Sequence, residues 1–467
     1  MIMEFEFLNV GPIKEAKINF DKDLTFVYGK NNIGKSYTIT LTYLILKNLL
    51  SVSPYLFDRY FLNFFHFKND LFDIKENELL LKKLEDENDW SDITTEIIPF
   101  IQEFFSNFII SNLESSIISS YGSIKNLNNK ITGKNFKIIL HFKNYNIELF
   151  EEDNKLKMDF IFDKSILCRK VKRHLLPKTE ETKVKMYYIG DQEIFGRDLL
   201  HYIVNLFKEG YTEIANSIGN VYFLPASRSG LYRALNAFSQ ILVELSKKRN
   251  FLHQKIVLPS ISEQDSDYFS LLNEINTKKI NTRYNQIAEK MEDELLKGKV
   301  SFDQTSKQIL FKPNNSNMSL ELLGTSSMIA EISPIVLFIR HIVSQGDERK
   351  RFSGKPVIFI EEPEAHLHPE NQVKLTEFFA NLIKEGSKII ITSHSNYIFS
   401  KLNNLIAEKK LLNNEVAGFI LENTPEGSVS RIIKQNPFGL EDNNFVNVSE
   451  TLYEEKIKII NELNNAR

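Results

Sequence analysis

The stretch Gly29-Lys30-Asn31-Asn32-Ile33-Gly34-Lys35-Ser36 fits the pattern G-x-x-x-x-G-K-S, and its setting constrains the fold more than any other feature of the chain. An apolar run, Leu24-Thr25-Phe26-Val27-Tyr28, precedes it, and a helix-compatible segment from Tyr37 to Leu50 follows. Strand, glycine-bounded loop and helix start are the context in which such a loop wraps phosphate. Its backbone N–H groups converge and, with the helix N-terminus, make a nest for phosphate oxygens. Lys35 is then placed to reach the β- and γ-phosphates, and the Ser36 hydroxyl to ligate Mg2+. The residues expected to contact a nucleoside triphosphate are Gly29, Lys30, Asn31, Asn32, Ile33, Gly34, Lys35, Ser36 and Tyr37.

A second constellation lies far downstream. Val357-Ile358-Phe359-Ile360-Glu361-Glu362 reads as a buried parallel strand that delivers two carboxylates to the C-terminal edge of a sheet. Nucleotide hydrolysis needs one acid for the metal and one to orient the attacking water and take its proton. Glu361 is assigned to metal and Glu362 to base, with the reverse assignment left open. Lys388-Ile389-Ile390-Ile391-Thr392-Ser393-His394-Ser395 is another apolar strand that ends in hydroxyls and a histidine. At that edge His394 is placed to hydrogen-bond the γ-phosphate or the attacking water. The intervening His366 and His368 have no cysteine partners, so a zinc site is not the expected reading of that loop.

The rest of the chain is organised around these motifs. Three short strands open it, near Phe5–Leu8, Ala16–Asn19 and Leu24–Tyr28, with a Gly11-Pro12 turn between the first two. The expected division is 1–50, an N-terminal ATPase-head part with the loop; 51–220, a helical then β insertion; 221–310, a returning strand, helical arm and hairpin; and 311–467, the C-terminal head part. Within the insertion, Ile97–Phe105 has helical spacing, and Phe136–Phe142, Tyr145–Phe150 and Lys157–Phe162 alternate like strands. The returning strand ends in Leu-Pro-Ala-Ser-Arg-Ser-Gly, the arm is broken near Pro259, and Lys299–Phe302 with Gln308–Phe311 reads as the hairpin.

With 467 residues the chain is expected to form more than one lobe, and 42% hydrophobic with 25% charged residues is ordinary for a soluble protein. A net charge of −3 advertises no global basic surface. Arg169-Lys170-Val171-Lys172-Arg173-His174 leaves a local nucleic-acid contact open. Cys168 is the single cysteine, which fits a reducing cytosol. The acidic N-terminus is unlike a signal peptide, no long uncharged apolar run occurs, and the expected location is cytoplasmic.

Three segments carry a family resemblance: the loop of form G-K-N-N-x-G-K-S, Glu-Glu-Pro-Glu-Ala-His-Leu-His-Pro, and Thr-Ser-His-Ser. Together they resemble the ABC/SMC/RecF group of P-loop ATPases. The chain is most similar to the ATPase region of OLD-like proteins, which include ATPase subunits of anti-phage systems such as PARIS and Septu. The opening Phe-Leu-Asn-Val-Gly-Pro-Ile-Lys-Glu-Ala, the Leu-Pro-Ala-Ser-Arg-Ser-Gly loop and the tail from Phe445 to Tyr453 match the same group, while 51–220 and 231–310 follow it only in layout.

The resemblance implies an α/β fold, a mixed-sheet ATPase head with flanking helices, binding ATP and Mg2+. It also implies ATP sandwiched between two heads, with a signature segment of one head touching the γ-phosphate of the other. The matching segment is Leu323-Gly324-Thr325-Ser326-Ser327 before a helix at Met328–Val343, and Ser326 and Ser327 are the expected trans contacts. The usual Ser-Gly-Gly spelling is absent, and an ordinary helix cap is the competing reading. Glu361 stands where many relatives have Asp, which fits slow hydrolysis.

OLD proteins append a Toprim nuclease that needs a glutamate and an Asp-x-Asp pair. After His394 the only aspartate is Asp442. The expectation is therefore an ATPase subunit that self-associates and controls a separately encoded toxic effector, a nuclease, in an abortive-infection system. Two alternatives stand beside it: a RecF-type repair ATPase that clamps DNA, and a nucleotide-locked scaffold with negligible turnover.

Overall fold

The computed structural model describes residues 4–51, 78–85, 89–105, 109–234, 261–277, 282–344, 354–441, 451 and 453–461. An eleven-stranded mixed sheet forms its spine. The strands, in chain order, are β1 Glu4–Val10, β2 Ile13–Asn19, β3 Leu24–Gly29, β4 Lys137–His141, β5 Tyr145–Glu152, β6 Lys155–Phe162, β7 Ile218–Leu224, β8 Lys355–Glu361, β9 Lys388–Ser393, β10 Val416–Thr424 and β11 Gly427–Ile432. Their spatial order is β7-β8-β9-β3-β10-β11-β2-β1-β4-β5-β6.

One half of this sheet, β7-β8-β9-β3-β10, is parallel throughout. Parallel strands need cover on both faces, which explains why β8 and β9 are written as unbroken apolar runs. Successive side chains of a strand point to opposite faces. Val357 and Phe359 accordingly enter one core, together with Leu41 and Leu44 of helix α1 (Lys35–Ser51). Ile358 and Ile360 enter the other. That second core is filled by α4 (Ser327–Leu337), α5 (Pro369–Lys384) and α6 (Asn396–Ala407), through residues such as Val336, Phe378 and Leu402. Two further helices matter below: α2 (Ser111–Tyr121) and α3 (Glu263–Asn273).

β1 and β2 form an antiparallel hairpin closed at Gly11-Pro12, with Val10 opposite Ile13. Gly11 has φ 55°, and a Cβ there would stand 2.6 Å from the Tyr37 ring, so the turn and the start of α1 need a residue without a side chain. Three hairpin-linked strands of the 51–220 segment join the large sheet beyond β1. β4 pairs with β1, Phe5 opposite Leu140, and β5 and β6 continue the same sheet. A smaller sheet pairs Ser165–Lys170 in parallel with Lys183–Tyr188. The hairpin runs Gly298–Asp303 with Gln308–Pro313.

The helix expected at Met328–Val343 starts at Ser327 and passes into a π-helical turn, Phe338–Val343. Of the helical arm, Glu263–Asn273 and Thr282–Met291 are helices, while the break near Pro259 lies outside the described residues. Most of the tail from Phe445 to Tyr453 lies outside them too. Among the described residues no helix is long and apolar enough to cross a membrane.

Candidate nucleotide and metal site

The loop after β3 takes backbone conformations that its sequence anticipates. Gly29 has φ 152°, and a Cβ on it would stand 2.2 Å from Ile33 Cδ1 and 2.9 Å from the Leu421 carbonyl oxygen. Gly34 has φ 101°, with Ile13 Cγ1 only 2.4 Å from where a Cβ would be. Asn32 occupies the left-handed region at φ 62°, where Asn is tolerated better than most residues. From β11, two strands over from β3, Ser428 Oγ donates to the Ile33 carbonyl at 2.5 Å and fixes the loop.

Lys35 is buried and folds back over the loop, donating to the carbonyls of Gly29 at 3.0 Å and Lys30 at 2.8 Å. Burial pulls its pKa down to about 8, against the opposing charges of Glu362, Glu364 and Glu361. The ammonium also stands 3.3 Å from His394 Nδ1. His394 Nε2 in turn faces Glu362 Oε1 at 3.0 Å. That hydrogen bond holds the Glu362 carboxyl below the usual range, with partial burial opposing it. Glu362 itself sits at φ 41°, a conformation an L-residue adopts rarely, immediately past the end of β8. β8 and β9 place the two chemistries side by side, since Glu361 pairs with Thr392 across the parallel register and Glu362 N–H donates to the Thr392 carbonyl at 3.0 Å.

Glu361 lies by the other end of the loop, where the Ser36 hydroxyl is near enough to its carboxylate to favour the charged form. Burial pushes its pKa up to about 7; the Ser36 hydroxyl and the Arg228 charge oppose this, and Asp265 and Glu362 add to it. Its Oε1 is sealed from solvent and has no hydrogen-bond partner. A buried acceptor without a donor is costly unless a ligand completes it. An orphaned carboxylate oxygen beside a hydroxyl is an all-oxygen donor set of the kind that suits Mg2+.

The open depression over the loop has a volume of about 550 Å³ and is lined by Pro12, residues 31–37, Glu362 and His394. Tyr37 borders it and packs its ring 5.1 Å from that of Tyr121 at the end of α2. The fold thus brings Lys35, Ser36, Glu361, Glu362 and His394 together at one sheet edge. Ser326 and Ser327 are exposed and do not line that depression. Ser326 is the N-cap of α4, its Oγ accepting from Ile329 N–H at 3.5 Å. Both readings of that serine, cap and outward-facing contact, are compatible with this position. His368 caps α5, while His366 is exposed on the loop before it.

Two residues in the site had no role in the sequence reading. Glu364 Oε1 accepts from Ser393 Oγ and from His394 N–H, both at 2.7 Å, and so fixes the strand end that carries the histidine. Its place in Glu-Glu-Pro-Glu was the available signal, obscured by the neighbouring histidines. Arg228, in the helical turn that follows β7, is fully buried and donates to the main-chain oxygen of Glu361 at 3.1 Å. A lone arginine at the end of an apolar strand gives little warning of such a position.

A parallel sheet with a phosphate loop at its C-terminal edge, two carboxylates on the second strand over and a histidine between them defines a P-loop nucleotide-binding α/β protein. The family described as AAA_15, AAA ATPase domain, matches residues 1–399, and the chain belongs to that family. Among solved structures, the SMC head bound to the C-winged helix domain of ScpA aligns at 9% identity with TM-score 0.39, covering 93% of this chain and 97% of that one. The SMC head domain from Thermotoga maritima aligns at 8% identity with TM-score 0.37, covering 93% and 99%. The Pyrococcus furiosus Smc head with an extended coiled coil, bound to the C-terminal domain of ScpA, aligns at 11% identity with TM-score 0.36, covering 99% of both chains. The class rests on the family match and on the topology rather than on these alignments. No curated protein matches the chain.

Proposed function

We propose that the chain is the ATP-binding and ATP-hydrolysing subunit of a bacterial anti-phage defence system. The observation that supports the catalytic part best is the unbroken series Lys35 Nζ, His394 Nδ1, His394 Nε2, Glu362 Oε1, with contacts of 3.3 and 3.0 Å, beside the Ser36–Glu361 pair. On this reading ATP enters with its γ-phosphate against Lys35, whose ammonium leaves the Gly29 and Lys30 carbonyls for phosphate oxygens. Ser36 and Glu361 would hold the cation, which would supply Lewis-acid polarisation of the phosphate oxygens. Glu362, ionised at neutral pH because its carboxyl is held low, takes a proton from the attacking water. The water oxygen bonds to the γ-phosphorus as the bond to the β-bridging oxygen breaks, and the electron pair leaves with ADP. His394 orients the water or the γ-phosphate through Nε2.

Ser326 and Ser327 lie on an exposed edge at the N-terminus of α4, where a helix offers free N–H groups to an anion. They contact the γ-phosphate held by a second head, so ATP joins the heads and hydrolysis parts them. The defence role and the separately encoded nuclease effector are supported by the resemblance of the Glu-Glu-Pro-Glu-Ala-His-Leu-His-Pro and Leu-Pro-Ala-Ser-Arg-Ser-Gly segments to OLD-like ATPase subunits. The test is co-expression with the neighbouring genes, followed by weighing the purified complex with and without ATP. An ATP-dependent assembly that carries a toxic nuclease supports the reading. A monomer whose ATP-strengthened, salt-sensitive partner is DNA overturns it in favour of a repair ATPase.

A further inference from the structure

Arg228 and Glu331 form an ion pair with both side chains essentially inaccessible, at 0% and 1% exposure. The guanidinium Nε stands 3.3 Å from both the Glu331 main-chain oxygen, to which it donates, and Glu331 Oε2. Nη1 donates to the Pro225 carbonyl at 2.9 Å and to the Glu361 carbonyl at 3.1 Å. The other Glu331 oxygen, Oε1, accepts from Ser229 Oγ at 2.5 Å and from Ser229 N–H at 3.3 Å. Glu331 lies in the second turn of α4, the helix that Ser326 caps. One planar fork therefore joins three elements: the helical turn after β7, helix α4, and the main chain of the acid that faces Ser36.

A buried ion pair is a poor source of stability, since desolvating both charges offsets most of their attraction. This one is also incompletely satisfied. Arg228 Nη2 has no hydrogen-bond partner, and Glu331 Oε2 has none. An apolar pair of similar volume would hold α4 against the sheet as well, so packing alone does not account for the charges. Their geometry does something packing cannot: it ties the position of one carbonyl to the position of one helix through directional bonds.

We propose that Arg228 is a positioning residue for ATP hydrolysis: it ties Glu361 to Glu331, so that loading Mg2+–ATP in a head sets the position of that head's own Ser326–Ser327 edge. The inference rests on the reading of that edge as the contact to a second head. Coupling is reciprocal, so engagement of the edge equally sets the Glu361 carbonyl.

The experiment uses the full chain at a concentration where it is monomeric. Hydrogen exchange of the amides at 327–330 is followed with and without Mg2+–ATP in the parent, in the double variant R228M/E331M, and in R228K. The double variant removes both buried charges together and avoids stranding either; R228K keeps the charge and loses the fork, and stands in if the double variant does not melt cooperatively. The parent is expected to slow by about fivefold or more at these amides, the lower end of ordinary site-to-site coupling. Both variants are expected to bind Mg2+–ATP and lose that response. Indifference of the parent's 327–330 amides to Mg2+–ATP overturns the proposal, as does a folded variant that keeps the full response. ATP-driven association, measured separately in the Glu362→Gln background, distinguishes the underlying reading: no association with an intact exchange response removes the contact to a second head and leaves the positioning role.

Discussion

Lys35 Nζ and His394 Nδ1 stand 3.3 Å apart although 359 positions separate them in the chain. An ammonium only donates, so Nδ1 accepts and the ring proton belongs on Nε2, which faces Glu362 Oε1 at 3.0 Å. The loop lysine, the histidine and the second carboxylate thus form one hydrogen-bonded series. On the proposed reading, phosphate oxygens compete for Lys35 with Gly29, Lys30 and His394.

Replacing Glu362 separates binding from chemistry. Glu362→Gln keeps the shape but cannot take the water's proton, so kcat is expected to fall roughly 10²- to 10⁴-fold, the usual worth of a positioned base. ATP affinity, measured by calorimetry, is expected to stay within a few-fold of the parent. Unchanged turnover would pass the base role to another residue.

Glu364 acts one step further back. In Glu364→Ala, Ser393 Oγ and His394 N–H lose the acceptor they share at 2.7 Å. The histidine loses its register, and turnover is expected to fall about tenfold or more with little change in ATP affinity, the signature of lost orientation. A matched loss of binding and turnover would mean that Glu364 holds the loop instead.

The raised Glu361 pKa makes cation binding pH-dependent. Its carboxyl titrates near 7, and the metal requires the ionised form. One competing proton implies that apparent divalent-cation affinity drops about tenfold from pH 8 to pH 6. Glu361→Gln should flatten the profile. For the unliganded protein, the folded pKa lies above the unfolded carboxyl value, so the native state binds the extra proton. That contribution to stability is complete below pH 4.5 and is lost as pH rises toward 7, the interval between the two values. Melting temperatures across this interval, with and without Mg2+–ATP, check both signs.

The loop glycines carry a structural prediction. Gly34→Ala places a Cβ 2.4 Å from Ile13 Cγ1 at φ 101°. Strained backbone of this kind costs on the order of 1–3 kcal/mol. The variant is expected to melt lower and to bind ATP more weakly, which thermal denaturation and calorimetry read directly.

The site was legible in the sequence where local pattern and chemistry coincide. The G-x-x-x-x-G-K-S loop, the strand ending in Glu361-Glu362 and the strand ending at His394 each announce a sheet edge, and parallel pairing brings the three together. The β1–β2 hairpin was legible from Gly11-Pro12, and the Gly298–Asp303 hairpin from alternation. Alternation does not name a pairing partner, so nothing local told that β4, β5 and β6 extend the head sheet beyond β1. Glu364 and Arg228 were illegible for a related reason. Their roles are contacts to residues distant in the chain, His394 and Glu361, and no spacing rule encodes those.

Ser36 and Glu361 are proposed to grip one cation beside the triphosphate. Calorimetric titration of ATP with and without Mg2+, in the parent, Ser36→Ala, Glu361→Ala and the double variant, measures this directly. Mg2+ is expected to strengthen ATP binding about tenfold or more in the parent, either replacement to remove the effect, and the double variant to add no further loss because the two residues act as a unit. A Mg2+ enhancement of parental size in Glu361→Ala would contradict it.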